Sequence, residues 1–111
     1  MRDAQEHFRW GVLVVDCARR LRGDPDLPDV VDVEVIPPLD GSPDGIFGWF
    51  ICATRGQVVP FRLNALSAAT AKLRGSLLAG GFPATAATSL RSDVTSLDDI
   101  EEGGGRFAYF R

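Results

Sequence analysis

The sequence predicts a small α+β domain, a two-layer sandwich in which two main helices cover a mostly antiparallel 4–5-stranded sheet. The expected element order is α-β-β-(β)-α-β-β. Three observations lead there. The run Ile46–Thr54 is the most apolar in the chain. Alternate side chains put Phe47, Trp49, Ile51 and Ala53 on one face and Ile46, Phe50 and Cys52 on the other, so both faces are apolar, as in an interior strand. Val30–Ile36 alternates Val31, Val33 and Val35 with Asp32 and Glu34, the pattern of a half-buried strand. Short turn-forming stretches, Asp40–Gly45 and Arg55-Gly56, favour hairpins and hence antiparallel pairing.

The elements follow in order. Residues 3–22 read as a helix that stops at Gly23. At about 100° per residue, Ala4, Phe8, Gly11, Val12, Val15 and Ala18 share a face turned to the sheet. Trp10, Val14, Cys17 and Leu21 widen the apolar arc past what one sheet covers. The β-branched run Val12–Val15 keeps a strand as an alternative there. Asp24–Pro28 is a linker, and Pro37-Pro38 ends the first strand. Gln57–Phe61 reads as a short third strand, weakened by Pro60.

Asn64 is an expected N-cap for a second helix reaching Ala79, with Gly80-Gly81 as its stop. Leu63, Leu66, Thr70, Leu73 and Leu77 form its inward stripe. Ala65, Ala68, Lys72 and Gly75 leave its back small and almost uncharged. Within Ala84–Thr95 the second half alternates as a strand. Ser96, three residues before Asp99, resembles a capping box opening a short helix Leu97–Glu102. Gly103–Gly105 breaks that helix, and Arg106–Arg111 reads as a last strand.

The chain is one domain, residues 1–111, large enough to bury roughly 65% of its unfolded surface. A net charge of −3 argues against a nucleic-acid binder or an anionic-membrane binder. Eleven arginines to one lysine, with abundant Ala and Gly, read as the habit of a GC-rich bacterial genome. Cys17 and Cys52 lie 35 positions apart without metal-ligand spacing and are expected as buried thiols. The apolar run Trp10–Val15 is too short for a signal core or a membrane span, so a cytoplasmic location is the expectation.

No motif specifies chemistry. Asp40, Ser42 and Asp44 echo the first ligands of an EF-hand loop, but its twelfth position is Ile51 in place of Glu, so the reading is a turn. His7 is the sole histidine and has no triad partner pattern. Asp98, Asp99, Glu101 and Glu102 read as a solvated face rather than an acid–base pair. Gly103–Gly105 precedes a strand, the wrong order for a phosphate loop. No metal site, catalytic residue or cofactor is expected. Charge falls in blocks: seven acids over Asp24–Asp44, five bases over Gly45–Ser92, five acids over Asp93–Glu102. Such blocks are complementary within one fold or across a twofold contact.

Helix, three strands, helix is the layout of double-stranded-RNA-binding domains, although Asn64-Ala65-Leu66 replaces the basic cluster that opens their second helix. With two further strands the order is similar to that of the small acidic dimeric chaperones of type III secretion. Both likenesses rest on element order alone. The leading functional expectation is a non-enzymatic binding or regulatory domain that forms a homodimer and takes a protein or peptide partner. Trp10, Leu13 and Cys17 are its expected interface, with Trp49 or Phe50 as anchor. The alternative is a small-molecule domain or minor enzyme in which Arg62, Arg91 or Arg106 holds an anionic ligand between sheet and helices.

Overall fold

The computed structural model describes the backbone of residues 2–36 and 44–110, and their side chains from Trp10 onward with Phe107 excepted. The elements are α1 (Arg2–Arg22), β1 (Val30–Ile36), β2 (Phe47–Cys52), a 3-10 turn (Arg55–Gln57), α2 (Val58–Asn64), α3 (Leu66–Ala79), α4 (Ala84–Thr88), β3 (Arg91–Ser96), α5 (Leu97–Glu102) and α6 (Arg106–Tyr109). The fold is α+β, but the expected sandwich with a 4–5-stranded, mostly antiparallel sheet is not formed. Among the described residues the sheet has three strands in the order β1-β2-β3. It is mixed: β1 pairs antiparallel with β2, and β2 pairs parallel with β3.

Each lost strand has a local cause. Gln57–Phe61 turns helical because Thr54 N–H donates to Gln57 Oε1 (3.0 Å) while Gln57 N–H donates to the Thr54 carbonyl (3.1 Å). Pro60 then falls in the first turn of α2, where its missing N–H costs no helical bond. The helix expected from Asn64 is interrupted at Ala65 (φ −129°, ψ −20°), so Asn64 ends α2 and caps nothing. Ala84–Thr88 is helical, with Ala86 and Ala87 fully buried. Because helices fill the whole path from β2 to β3, the chain returns in the same direction, and the new pair is parallel. Arg106–Tyr109 is a helical turn, because Gly104 and Gly105 (φ 94° and 92°) send the chain back over the sheet. With the predicted element order gone, the two layout likenesses lose their basis.

The expected interior strand is indeed central. Gly48, Phe50 and Cys52 face the long helices. A Cβ on Gly48 would stand 2.8 Å from Leu73 Cδ2, so α3 crosses β2 where no side chain intervenes. Phe50 packs on Phe61 (centroids 6.0 Å) in a core shared with Cys17, Leu73 and Leu77. Phe47, Trp49 and Ile51 face the other way. On β1, an irregularity at Val31 shifts the alternation, so Val30 and Val33 are buried while Val31 is 40% exposed.

Helix α1 keeps its predicted limits to within one residue, but its buried face is turned about a third of a circle from the expected one. Of the expected inward residues Ala18 is buried, and the side chains of Ala4 and Phe8 lie outside the described residues. Cys17, Ala18 and Leu21 are buried, and Trp10, Leu13 and Val14 pack against the core. Val12 and Val15, expected inward, are 55% and 56% exposed.

Candidate interaction surfaces

The first surface is the outward side of α1. Gly11, Val12 and Val15 share it, three and four residues apart, so they form one patch. Space beside Gly11 is open. Next to this patch a groove runs between α1 and β1, lined by Val14, Val15, Ala18, Arg19, Arg22, Val33, Glu34 and Val35. Among the described residues β1 pairs on one side only, so its far edge carries backbone groups without strand partners there.

The second surface is the opposite face of the sheet, beneath α6. Asp32 was expected to face water, yet its side chain is only 13% exposed. Arg22 reaches it from the end of α1 (2.8 Å) and Arg106 from α6 (2.6 Å), while Arg106 also contacts Glu34 at 3.5 Å. Burial opposes the charged form of Asp32. The Arg106 hydrogen bond, the Val33 N–H and the charges of Arg106 and Arg22 outweigh it, so the carboxyl sits below its ordinary range. Beside this acidic pair Trp49 meets Phe47 (5.1 Å), Phe110 (5.7 Å) and Tyr109 (6.2 Å). The Tyr109 hydroxyl shares a 2.7 Å hydrogen bond with Thr95 Oγ1. A Cβ on Gly103 would stand 2.8 Å from the Tyr109 ring, so the glycine lets α6 fold back tightly.

The acidic run on α5 is structural. Ser96 caps the helix, accepting from Asp99 N–H (3.1 Å) and donating to Asp99 Oδ2 (2.7 Å). Arg55 then ties the turn after β2 to it: its N–H donates to Asp98, and its guanidinium meets Asp99 (2.6 Å) and Glu102. The Ser96 hydroxyl first and Arg55 second hold Asp99 below the usual carboxylate range. Lys72 pairs with Asp24 and Asp26, and Arg62 with Asp93. Arg55, Arg62 and Lys72 of the basic block are thus paired with the flanking acids within one chain.

The expected interface residues do not gather at the surface. Trp10 stacks edge-on against Phe82 (5.4 Å), Leu13 fills the space over Gly80, and Cys17 and Phe50 have no exposed area. Trp49 lies on the other side of the sheet, under α6.

The candidate anion-binding arginines do not converge either. Arg62 is held against β3 (3.0 Å to Asp93) and Arg106 against β1, while Arg91 lies exposed beside Ser89 and Phe47. Sequence reasoning passed over Arg74, which is half-buried and donates to the Leu90 carbonyl at 2.8 Å. Both thiols are free and buried, and desolvation first, then Asp29, pushes the Cys52 thiol upward, away from the reactive thiolate.

The EF-hand-like positions Asp40 and Ser42, and the side chain of His7, lie outside the described residues. Among the described residues no cluster of three or more His, Cys, Asp or Glu is placed to hold a metal. No helix among them is long and apolar enough to cross a membrane. No family model matches the sequence, and comparison with curated proteins and with solved structures found no significant match.

Proposed function

We propose that this chain is a binding domain without catalytic chemistry of its own, which self-associates through the outward side of α1. One observation carries the reading: Val12 and Val15 stand side by side and more than half exposed, next to Gly11 and the open edge of β1. The surplus apolar arc expected of the first helix is real, but its uncovered part is the valine side rather than the Trp10 side. A twofold contact brings two such patches together.

Magnitudes set the expected affinity. Burying an exposed valine fully is worth about 1.5–3 kcal/mol, and these are already half covered, so four supply roughly 3–6 kcal/mol. Association costs about 4–15 kcal/mol. The valines alone do not hold a tight dimer, and the groove along β1 has to contribute. For a dissociation constant in the micromolar range, about 8 kcal/mol net, the groove has to supply most of the binding energy.

Sedimentation velocity over a range from about 1 to 100 µM, a span around that affinity, tests the proposal. A concentration-dependent monomer–dimer shift is expected, abolished by Val12→Asp with Val15→Asp while the thermal transition is kept. A parent chain that stays monomeric across the range sinks it.

A further inference from the structure

Apart from the Tyr109 hydroxyl, which shares a hydrogen bond with the buried Thr95, helix α6 is held by contacts for which water competes. Arg106 is 46% exposed on its side chain, and exposed ion pairs of this kind add little. Tyr109 and Phe110 remain partly open over Trp49. The segment follows three glycines, two of them at positive φ, and glycine makes other backbone conformations cheap. Few-contact segments of this kind occupy the low-stability end of a fold.

What lies beneath α6 has the composition of a recognition surface. Phe47 and Trp49 form an aromatic floor, and Asp32 and Glu34 form an acidic rim. Asp32 keeps Arg22 when Arg106 leaves; Glu34 has no other ion pair among the described residues. We propose that α6 is the internal occupant of a peptide-docking surface. When it lifts, the floor and rim receive a segment of another protein that carries an arginine followed three residues on by an aromatic, the spacing of Arg106 and Tyr109.

Charge complementarity selects that chemistry: once Arg106 leaves, Asp32 and Glu34 share the single charge of Arg22 and a second guanidinium restores the balance, with the rings one helical turn away. A second copy's tail is the weaker candidate. It offers the same contacts as the tethered segment, which acts at an effective concentration in the millimolar range. The aromatic floor lies across the sheet from the valine patch of α1, and only Arg22 and Glu34 border both surfaces, so the valine substitutions test self-association independently of the latch.

The test uses the full chain and a labelled peptide, G-R-F-A-Y-F-R, the sequence of residues 105–111. Loosening the latch with Arg106→Ala and Tyr109→Ala raises the fraction of open chains, and apparent affinity rises with that fraction. At least about tenfold tighter peptide binding than to the parent is expected, lost when the peptide's arginine is replaced by Glu. Equal binding to both chains, or none to a variant that keeps its thermal transition, overturns the proposal. Parent dimers that Arg106→Ala with Tyr109→Ala loses, while Val12→Asp with Val15→Asp keeps them, assign the face to a second copy's tail and also overturn it. Should the variant fail to fold, hydrogen exchange of the parent decides. Amides of Tyr109 and Phe110 at least about tenfold faster than those of β2 support local opening, and equal rates overturn it.

Discussion

On one side of the sheet Phe50 and Cys52 have no exposed surface and share a core with Cys17, Phe61 and Leu73. On the other, Ile51 is buried as fully, but Phe47 and Trp49 remain partly open under a four-residue helix held by one arginine and two rings. Both sides belong to the same six-residue strand, so strand chemistry does not explain the contrast. The covering does. Helices α1 and α3, of 21 and 14 residues, bring long apolar stripes that exclude water along the whole strand. α6 brings polar tips and aromatic rings, which leave part of their contact wet. The first side is built for stability, and the second is left easier to open.

The largest expected effect follows from the dry side. Phe50→Ala removes a fully buried ring with no room for its neighbours to collapse, and truncations of that kind cost about 3–5 kcal/mol. Urea unfolding followed by circular dichroism measures it. Trp49→Ala, which vacates a partly exposed position on the same strand, is expected to cost clearly less. Equal losses would mean that the two sides are equally dry, and the contrast fails.

How much of this was legible in the sequence depended on how local the signal was. The ends of α1, the existence of the strand Val30–Ile36, the cap at Ser96 and the stop at Gly80-Gly81 were all readable, since each is decided within one or two turns. The stop is realised by Gly81 at φ 92° with Phe82 N–H bonded to the Leu77 carbonyl. The face of α1 was not readable. Its apolar arc is so wide that two phases are nearly equivalent, and packing chose the one that buries Trp10, Leu13 and Leu21 in place of the smaller valines. Val58-Val59-Pro60 suits a weak strand or a helix start equally, and only the bond from Thr54 to Gln57 decides. The least legible feature was the partnership of Asp32 with Arg22 and Arg106. Alternation placed that aspartate in water, and nothing near it in the chain announces an arginine from the far terminus.

That partnership supplies the next expected effect, and its sign is fixed. The folded-state affinity of Asp32 for a proton is lowered, so its contribution is complete above the unfolded carboxyl value of about 3.9. It is lost as pH falls through the lower folded value. The groups facing it are Arg22 from α1, Arg106 from α6 and Glu34 two residues along β1. In urea melts between about pH 2 and 7, a range that brackets that value, the parent should lose stability on the acid limb. Asp32→Asn should start lower at neutral pH and flatten that limb. An unchanged slope would show that Arg106 and Arg22 do not hold the carboxylate in solution, and the wet side would lose its main anchor.

The smallest effect separates a loosely attached segment from one that unfolds with the rest. Tyr109→Phe deletes a single hydroxyl whose partner, Thr95, is 2% exposed. A hydrogen bond of this kind contributes about 0.5–1.5 kcal/mol. If α6 opens independently, the loss appears as faster amide exchange at residues 106–110, while the exchange of β2 and the urea midpoint stay within error. If α6 belongs to the cooperative core, the same loss moves the midpoint and leaves the ratio of the two exchange rates alone. Adding Thr95→Val sharpens the result, because removing both partners leaves no buried hydroxyl without a bond and should recover most of the deficit. The readout therefore locates where α6 stands between the two sides of the sheet.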